Sequence, residues 1–121
     1  MSINPSTKFI GDRGEQLVKE HLLNRGLLFI DRNVHTDFGE LDLIFKDKQK
    51  IYFIEVKTRR SADFGYPEEF VGLKKLSRIR KSIAIYLRGN PHYAVLEKDI
   101  LIASVLLTIH DEPEIKIVTF N

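Results

Sequence analysis

The stretch Gly39-Glu40-Leu41-Asp42-Leu43-Ile44-Phe45-Lys46, followed by Ile51-Tyr52-Phe53-Ile54-Glu55-Val56-Lys57-Thr58, decides how this chain folds. Both runs alternate between two faces, the period-two signature of a strand. Only Asp47-Lys48-Gln49-Lys50, a polar turn, separates them, so the two strands should form an antiparallel hairpin. On the first strand Leu41 and Leu43 are expected to face one way, and Glu40, Asp42 and Ile44 the other. On the second, Phe53, Glu55 and Lys57 share a face opposite Ile54 and Val56.

Working outward, the run from Ser6 or Thr7 to Asn24 has helical periodicity. Ile10, Gly14, Leu17, Val18 and His21 recur on one face, and Gly26 supplies a stop. Leu27 to Ile30 reads as a short strand bounded by Asp31, Arg32 and Asn33. Beyond the hairpin, Arg59 to Pro67 is a loop and Glu68 to Leu87 a helix, with Leu76, Ile79, Ile83 and Leu87 along one side. Gly89-Asn90-Pro91 ends that helix. Ile100 to Ile109 and Ile115 to Phe120 close the fold as a strand pair around Asp111-Glu112-Pro113, while residues 92–98 carry no clear pattern. The order α-β-β-β-α-β-β predicts an α/β fold, a mixed sheet with helices packed on it, as one domain over residues 1–121.

Composition narrows the function classes. With 121 residues the chain suits one domain that buries roughly two-thirds of its unfolded surface. A hydrophobic share of 43% excludes disorder throughout. Cys 0 excludes a disulfide framework, a thiolate zinc site and a cysteine nucleophile. Met1 to Thr7 lacks the cationic start and apolar core of a signal peptide. The most apolar run, Ile100 to Ile109, is far shorter than the ~20 residues a membrane helix needs. The expectation is a soluble, cytoplasmic protein without a membrane partner. No phosphate-binding loop or dinucleotide fingerprint is present, and His21, His35, His92 and His110 lack ligand spacing.

The hairpin carries the candidate chemistry. If its register aligns the faces, Asp42, Glu55 and Lys57 converge at one end of the sheet. Two carboxylates and the neighbouring backbone carbonyl of Val56 are hard oxygen ligands of the kind Mg²⁺ or Mn²⁺ takes. Lys57 could orient a water and stabilise charge growing on a phosphate. A Glu-x-Lys on an alternating strand is more commonly just a solvated sheet face; it is Asp42 on the paired strand that raises the chemical reading. Glu15, in line with Val18 and Leu22 at helical spacing, borders the apolar face of the first helix, and a carboxylate placed there needs a partner. A capping box at Asp12-Arg13-Gly14-Glu15 is the alternative. Charge placement points the same way. Between Phe70 and Leu96 stand Lys74, Lys75, Arg78, Arg80, Lys81 and Arg88 with no acid among them, and Arg59 and Arg60 follow the carboxylate strand. Lys74, Arg78 and Lys81 fall on one helical face, a stripe suited to a nucleic-acid backbone.

Gly39-Glu40-Leu41-Asp42-Leu43-Ile44, Phe53-Ile54-Glu55-Val56-Lys57-Thr58-Arg59, Phe64-Gly65-x-Pro67 and Lys74, with Gly11-x-x-Gly14-Glu15 upstream, resemble the YraN-like family of uncharacterised bacterial proteins. That family is viewed as predicted endonucleases similar to archaeal Holliday-junction resolvases, within the PD-(D/E)xK nuclease superfamily. The resemblance spans nearly the whole chain. It implies a restriction-endonuclease-like three-layer core, with Asp42 and Glu55 as metal-binding acids, Lys57 as the catalytic lysine and Glu15 as the assisting acid on the first helix. Glu40 and Lys74 follow as supporting or DNA-contacting positions. One departure stands out: Glu97-Lys98-Asp99 replaces the Arg-aromatic-Asp run common in the family.

The expectation is therefore a Mg²⁺- or Mn²⁺-dependent endonuclease-like protein acting on DNA, with branched or recombination intermediates among the candidate substrates and a homodimer as a candidate assembly. The rivals are a catalytically silent nucleic-acid-binding module on the same fold, and a protein-interaction domain whose strand acids form ion pairs.

Overall fold

The hairpin forms in the register that its short turn dictates: Lys46 lies opposite Ile51, Phe45 opposite Tyr52, Ile44 opposite Phe53 and Leu43 opposite Ile54. The computed structural model describes residues 7–60, 72–108 and 111–120. The two strands are β2 (Gly39–Lys46) and β3 (Lys50–Arg59). Asp47 locks the turn between them, accepting the Gln49 and Lys50 N–H groups on Oδ1, both at 2.8 Å.

With β1 (Leu28–Thr36), β4 (Glu97–Leu106) and β5 (Glu114–Phe120) the hairpin builds a 5-stranded sheet in the order β1-β2-β3-β4-β5. Neighbours are antiparallel except β3 and β4, which run parallel from Lys50 beside Glu97 to Arg59 beside Leu106. Parallel neighbours need a crossover. Helix α2 (Leu73–Gly89) and a single 3₁₀ turn, Pro91–Tyr93, lie within that crossover. Helix α1 (Thr7–Asn24) covers the opposite face, so the three-layer arrangement and the expected order of elements are both present.

Each layer follows from sequence periodicity. Val18 and Leu22 of α1 pack on Leu43, Phe45, Ile54, Leu101, Ala103 and Val105. Leu76, Ile79, Ile83, Tyr86 and Leu87 of α2 pack on Leu41, Ile44, Ile51, Phe53 and Ile102. Each fully buried Leu, Ile or Phe contributes roughly 1.5–3 kcal/mol, so the two slabs fix the sheet between the helices. Beyond α1, the Gly26 N–H bonds Leu23 O and the Leu27 N–H bonds Leu22 O, a closing motif that needs the positive φ of Gly26, +89°.

Four expectations are corrected. Strand β1 continues to Thr36 through Asp31, Arg32 and Asn33, which the sequence offered as a boundary. It is an edge strand with polar residues interleaved, and an irregularity between Phe29 and Asp31 disturbs its alternation. Leu41 and Leu43 do not share a face: Leu41 packs in the α2 slab and Leu43 in the α1 slab. Helix α2 starts at Leu73 behind an extended Gly72 (φ −64°, ψ 159°) instead of running unbroken from Glu68, and continues to Gly89. Strand β4 begins at Glu97, ahead of Ile100. The loop residues Phe64, Gly65, Tyr66 and Pro67, together with Glu68, Ile109 and His110, lie outside the described residues. No described helix is long and apolar enough to cross a membrane.

Candidate active site at a fork between two strands

Continued by one residue, the β2–β3 ladder would set Asp42 directly opposite Glu55, two like charges at the closest cross-strand distance. The ladder instead stops at Leu43 and Ile54. Beyond that point β2 stays paired with β1, Leu41 with Val34 and Glu40 with His35, while β3 stays paired with β4. The sheet forks, and Asp42 stands in the cleft. Its Oδ2 accepts the Val56 N–H at 2.8 Å, replacing a bond that the ladder would have supplied. The Val56 carbonyl lies on the same strand edge as its N–H and so faces the gap. The departure of β2 also explains why Leu41 and Leu43 part company: a strand end released from one neighbour is free to twist.

Two more acids reach the fork: Glu40, near the start of β2, and Glu15, from α1. Helix α1 comes this close because Gly14 has no side chain: a Cβ there would stand 1.9 Å from Thr58 Oγ1 and 2.9 Å from Thr58 Cβ. Helix α1 runs from Thr7, so Glu15 lies within the helix and is no part of a capping box at Asp12. Glu15, Glu40 and Asp42 each present a carboxylate oxygen within 4.8 Å of the other two. Asn33, at φ 51° in β1, sits among them. With its amide nitrogen turned toward the acids it donates to Glu15 Oε2 at 3.1 Å and Glu40 Oε1 at 2.7 Å; the reverse orientation would set its oxygen against them.

Negative charge dominates around Asp42. Burial pushes the Asp42 carboxyl up to about 8, with the negative charges of Glu55, Glu15 and Glu40 adding to it and the Val56 N–H opposing it. Burial also raises Glu15, aided by Glu40 and Asp12, while Arg32 and Asn33 pull the other way. Glu55, with a side chain 10% exposed, is joined by Lys75 of α2 in an ion pair. Besides its bond from Asn33, Glu40 has a long contact to His35 Nδ1, at 3.8 Å.

The remaining sequence-derived candidates lie on β3, just past its end and on α2. Lys57 is half-buried and shares its strand face with Glu55. It neighbours Ser104 of β4, whose buried hydroxyl has no hydrogen-bond partner among the described residues. Lys74, Arg78 and Lys81 are exposed on α2. Arg59 ends β3, and Arg60 joins Arg13 along a cleft of about 420 Å³ beside α1. Asp99 takes no part in the fork: it pairs with Lys50 at 3.2 Å, beside the hairpin turn. The sequence reading missed Asn33, Lys75 and Ser104. Lys75 was within reach, since it belongs to the same acid-free run as Lys74 and needed only the true helical phase.

In chemical terms the fork offers several hard oxygen donors, partly desolvated. Glu15, Glu40 and Asp42, with carboxylate oxygens within 4.8 Å of one another, are the residues that could hold a small divalent cation; Glu55 is not part of that cluster and is paired with Lys75.

Comparison with known proteins fixes the lineage. The profile of the uncharacterised protein family UPF0102 matches residues 14–109. This chain belongs to that family. A UPF0102 protein of Syntrophomonas wolfei is 42% identical over 84 residues, covering 69% of this chain and 73% of the relative. One from Corynebacterium efficiens is 42% identical over 93 residues, 76% of this chain and 75% of its own. One from Dictyoglomus thermophilum is 36% identical over 104 residues, 85% and 86% respectively. The UPF0102 match takes in the whole fork, from Gly14 and Glu15 through Asn33, Glu40 and Asp42 to Glu55 and Lys57.

Proposed function

We propose that this UPF0102 protein is a divalent-metal-dependent endonuclease-like phosphodiesterase acting on DNA. The observation that carries the proposal is the fork. Glu15, Glu40 and Asp42 bring carboxylate oxygens within 4.8 Å of one another, Glu55 adds its charge to Asp42, and a helix of cations without a single acid lies beside them. A stable protein has no structural need to gather acids around a largely buried Asp42 whose pKa they raise.

Asp42, Glu55 and the Val56 carbonyl would hold Mg²⁺ or Mn²⁺, with Glu15 and Glu40 as further donors. When bound, the ion would supply positive charge to the scissile phosphate and acidify a water. Lys57, on the same strand face as Glu55, would orient the attacking water and stabilise charge on the phosphoryl oxygens. Arg78, Lys81 and Lys74 would hold the flanking phosphates, and Arg59 and Arg60 would extend that track past β3. Asn33 would keep the Glu15 and Glu40 carboxylates turned toward the cleft.

Incubation with linear and branched DNA tests the proposal. Cutting is expected with Mg²⁺ or Mn²⁺ and not with a chelator. Asp42→Ala and Glu55→Ala should each lower the rate at least about 100-fold, since metal stabilisation of the transition state is worth several kcal/mol. Circular dichroism should show both variants folded. Cleavage at the wild-type rate by either variant sinks the assignment. A second reading, a silent nucleic-acid-binding module, is favoured by one observation: Lys75 already neutralises Glu55, as a structural cation would. Salt-sensitive DNA binding without cutting under any divalent ion would select it.

A further inference from the structure

The β1–β2 turn carries an aromatic residue where a hairpin tip is normally polar. Phe38 is 42% exposed, two residues from Glu40 of the fork. The tip is held firmly. The Phe38 N–H bonds Thr36 Oγ1 at 3.1 Å, and Thr36 Oγ1 lies 2.7 Å from Ser82 Oγ, which is buried in α2. Gly39, at φ 143°, closes the turn. The ring is therefore anchored to the cationic helix and does not swing on a free loop. Lys81 Nζ stands over it, 5.2 Å from the centroid. Phe38, Gly39 and Glu40 form one wall of a groove of about 200 Å³, and Lys75, Arg78 and Ser82 form the other.

A rigid, exposed π surface flanked by cations and opening toward a carboxylate cluster has the chemistry of a stacking platform for a nucleotide. In an intact duplex both faces of every base are already stacked, so such a ring finds no partner there. We infer that Phe38 stacks on an unpaired base at a fork or branch of the DNA substrate while Arg78 and Lys81 hold the adjoining phosphates, making the hairpin tip the element that selects non-duplex DNA. The inference rests on the nuclease reading of the neighbouring cleft and names its substrate class.

Binding measured by anisotropy with Ca²⁺ in place of Mg²⁺ tests it, using a forked oligonucleotide and a blunt duplex of matched sequence. A 2-aminopurine placed at the fork reports stacking. Phe38→Ala is expected to weaken fork binding roughly 5- to 150-fold, the loss of one base–aromatic stack. The same change should leave duplex binding near the wild-type value and restore 2-aminopurine fluorescence. Phe38→Tyr, which keeps the π face, should rescue both readouts. Equal loss on both DNAs, or no loss on the fork, overturns the inference. Cutting by the wild-type protein without Phe38-dependent fork preference overturns this inference alone, and the preference without cutting overturns the nuclease reading alone. Absence of binding to either DNA overturns both.

Discussion

Two aspartates on one hairpin, Asp47 at its turn and Asp42 at its open end, meet opposite fates. Asp47 is saturated: its carboxylate accepts the Gln49 and Lys50 N–H groups and the Tyr52 hydroxyl, each at 2.8 Å. Those bonds hold its carboxyl below the ordinary value, with Lys50 assisting. Asp42 accepts one N–H, from Val56, and faces Glu55, Glu15 and Glu40; its carboxyl is pushed up to about 8. The same residue type in the same secondary structure is satisfied at one end and frustrated at the other. The satisfied end makes the fold. The frustrated end is where the proposed cation would supply the missing countercharge.

The largest effect expected from this contrast is metal-linked stability. A cation that binds the folded cleft and not the unfolded chain adds about 2.7 kcal/mol when its concentration is 100 times the dissociation constant. Urea denaturation with and without Mg²⁺ should show that gain in the wild-type protein and in Asp47→Asn, and lose it in Asp42→Asn. A gain that survives Asp42→Asn would break the contrast, because the crowded acids would then not be what the cation relieves.

Next comes pH. The folded-state value of Asp42 lies above the ordinary 3.8, so the folded protein holds that proton more tightly than the unfolded chain. Stability from this group is then fully present below about pH 3.8 and is lost as the pH rises toward 8. The slope for one proton is at most about 1.4 kcal/mol per pH unit. Without divalent ions, the denaturation midpoint should fall between pH 5 and about 8, and Asp42→Asn should flatten that fall. A wild-type slope equal to that of Asp42→Asn would show that the crowding carries no energetic weight.

These effects bear on how much could be read from the chain itself. The hairpin was legible because two clean alternations and a four-residue turn admit essentially one register, and that register alone puts Asp42 against Glu55. The fork was not legible. It follows from that like-charge pair, and alternation cannot signal that a strand will change partners midway, so Leu41 and Leu43 were placed together when they belong to different slabs. Asn33 was hidden for a related reason: it sits at a positive φ inside an edge strand, where its residue type suggests a turn. On α2 the cations were visible, but Lys74 and Lys75 point about 100° apart around the helix, and the sequence does not show which of the two reaches Glu55.

The smallest effect lies at the satisfied aspartate, and it carries the opposite sign. The Asp47 carboxyl is held below 3.8, so the stability it gives is present above that pH and disappears as the pH falls through the lowered folded-state value. Asp47→Asn removes the charge that its backbone donors and Lys50 favour while keeping one acceptor oxygen for the turn. It should lower the melting temperature slightly at pH 7, converge with the wild type in strong acid, and leave the cleavage rate of the folded protein unchanged. Asp47 is exposed to water, so the shift should stay well below that of any change at the fork. Side by side, the two substitutions at pH 7 without divalent ions should move stability in opposite directions, Asp42→Asn upward and Asp47→Asn downward. A pair of downward shifts would mean that the Asp42–Val56 hydrogen bond outweighs the repulsion around it, and that the fork is held as a structural joint and not as a site kept open for a cation.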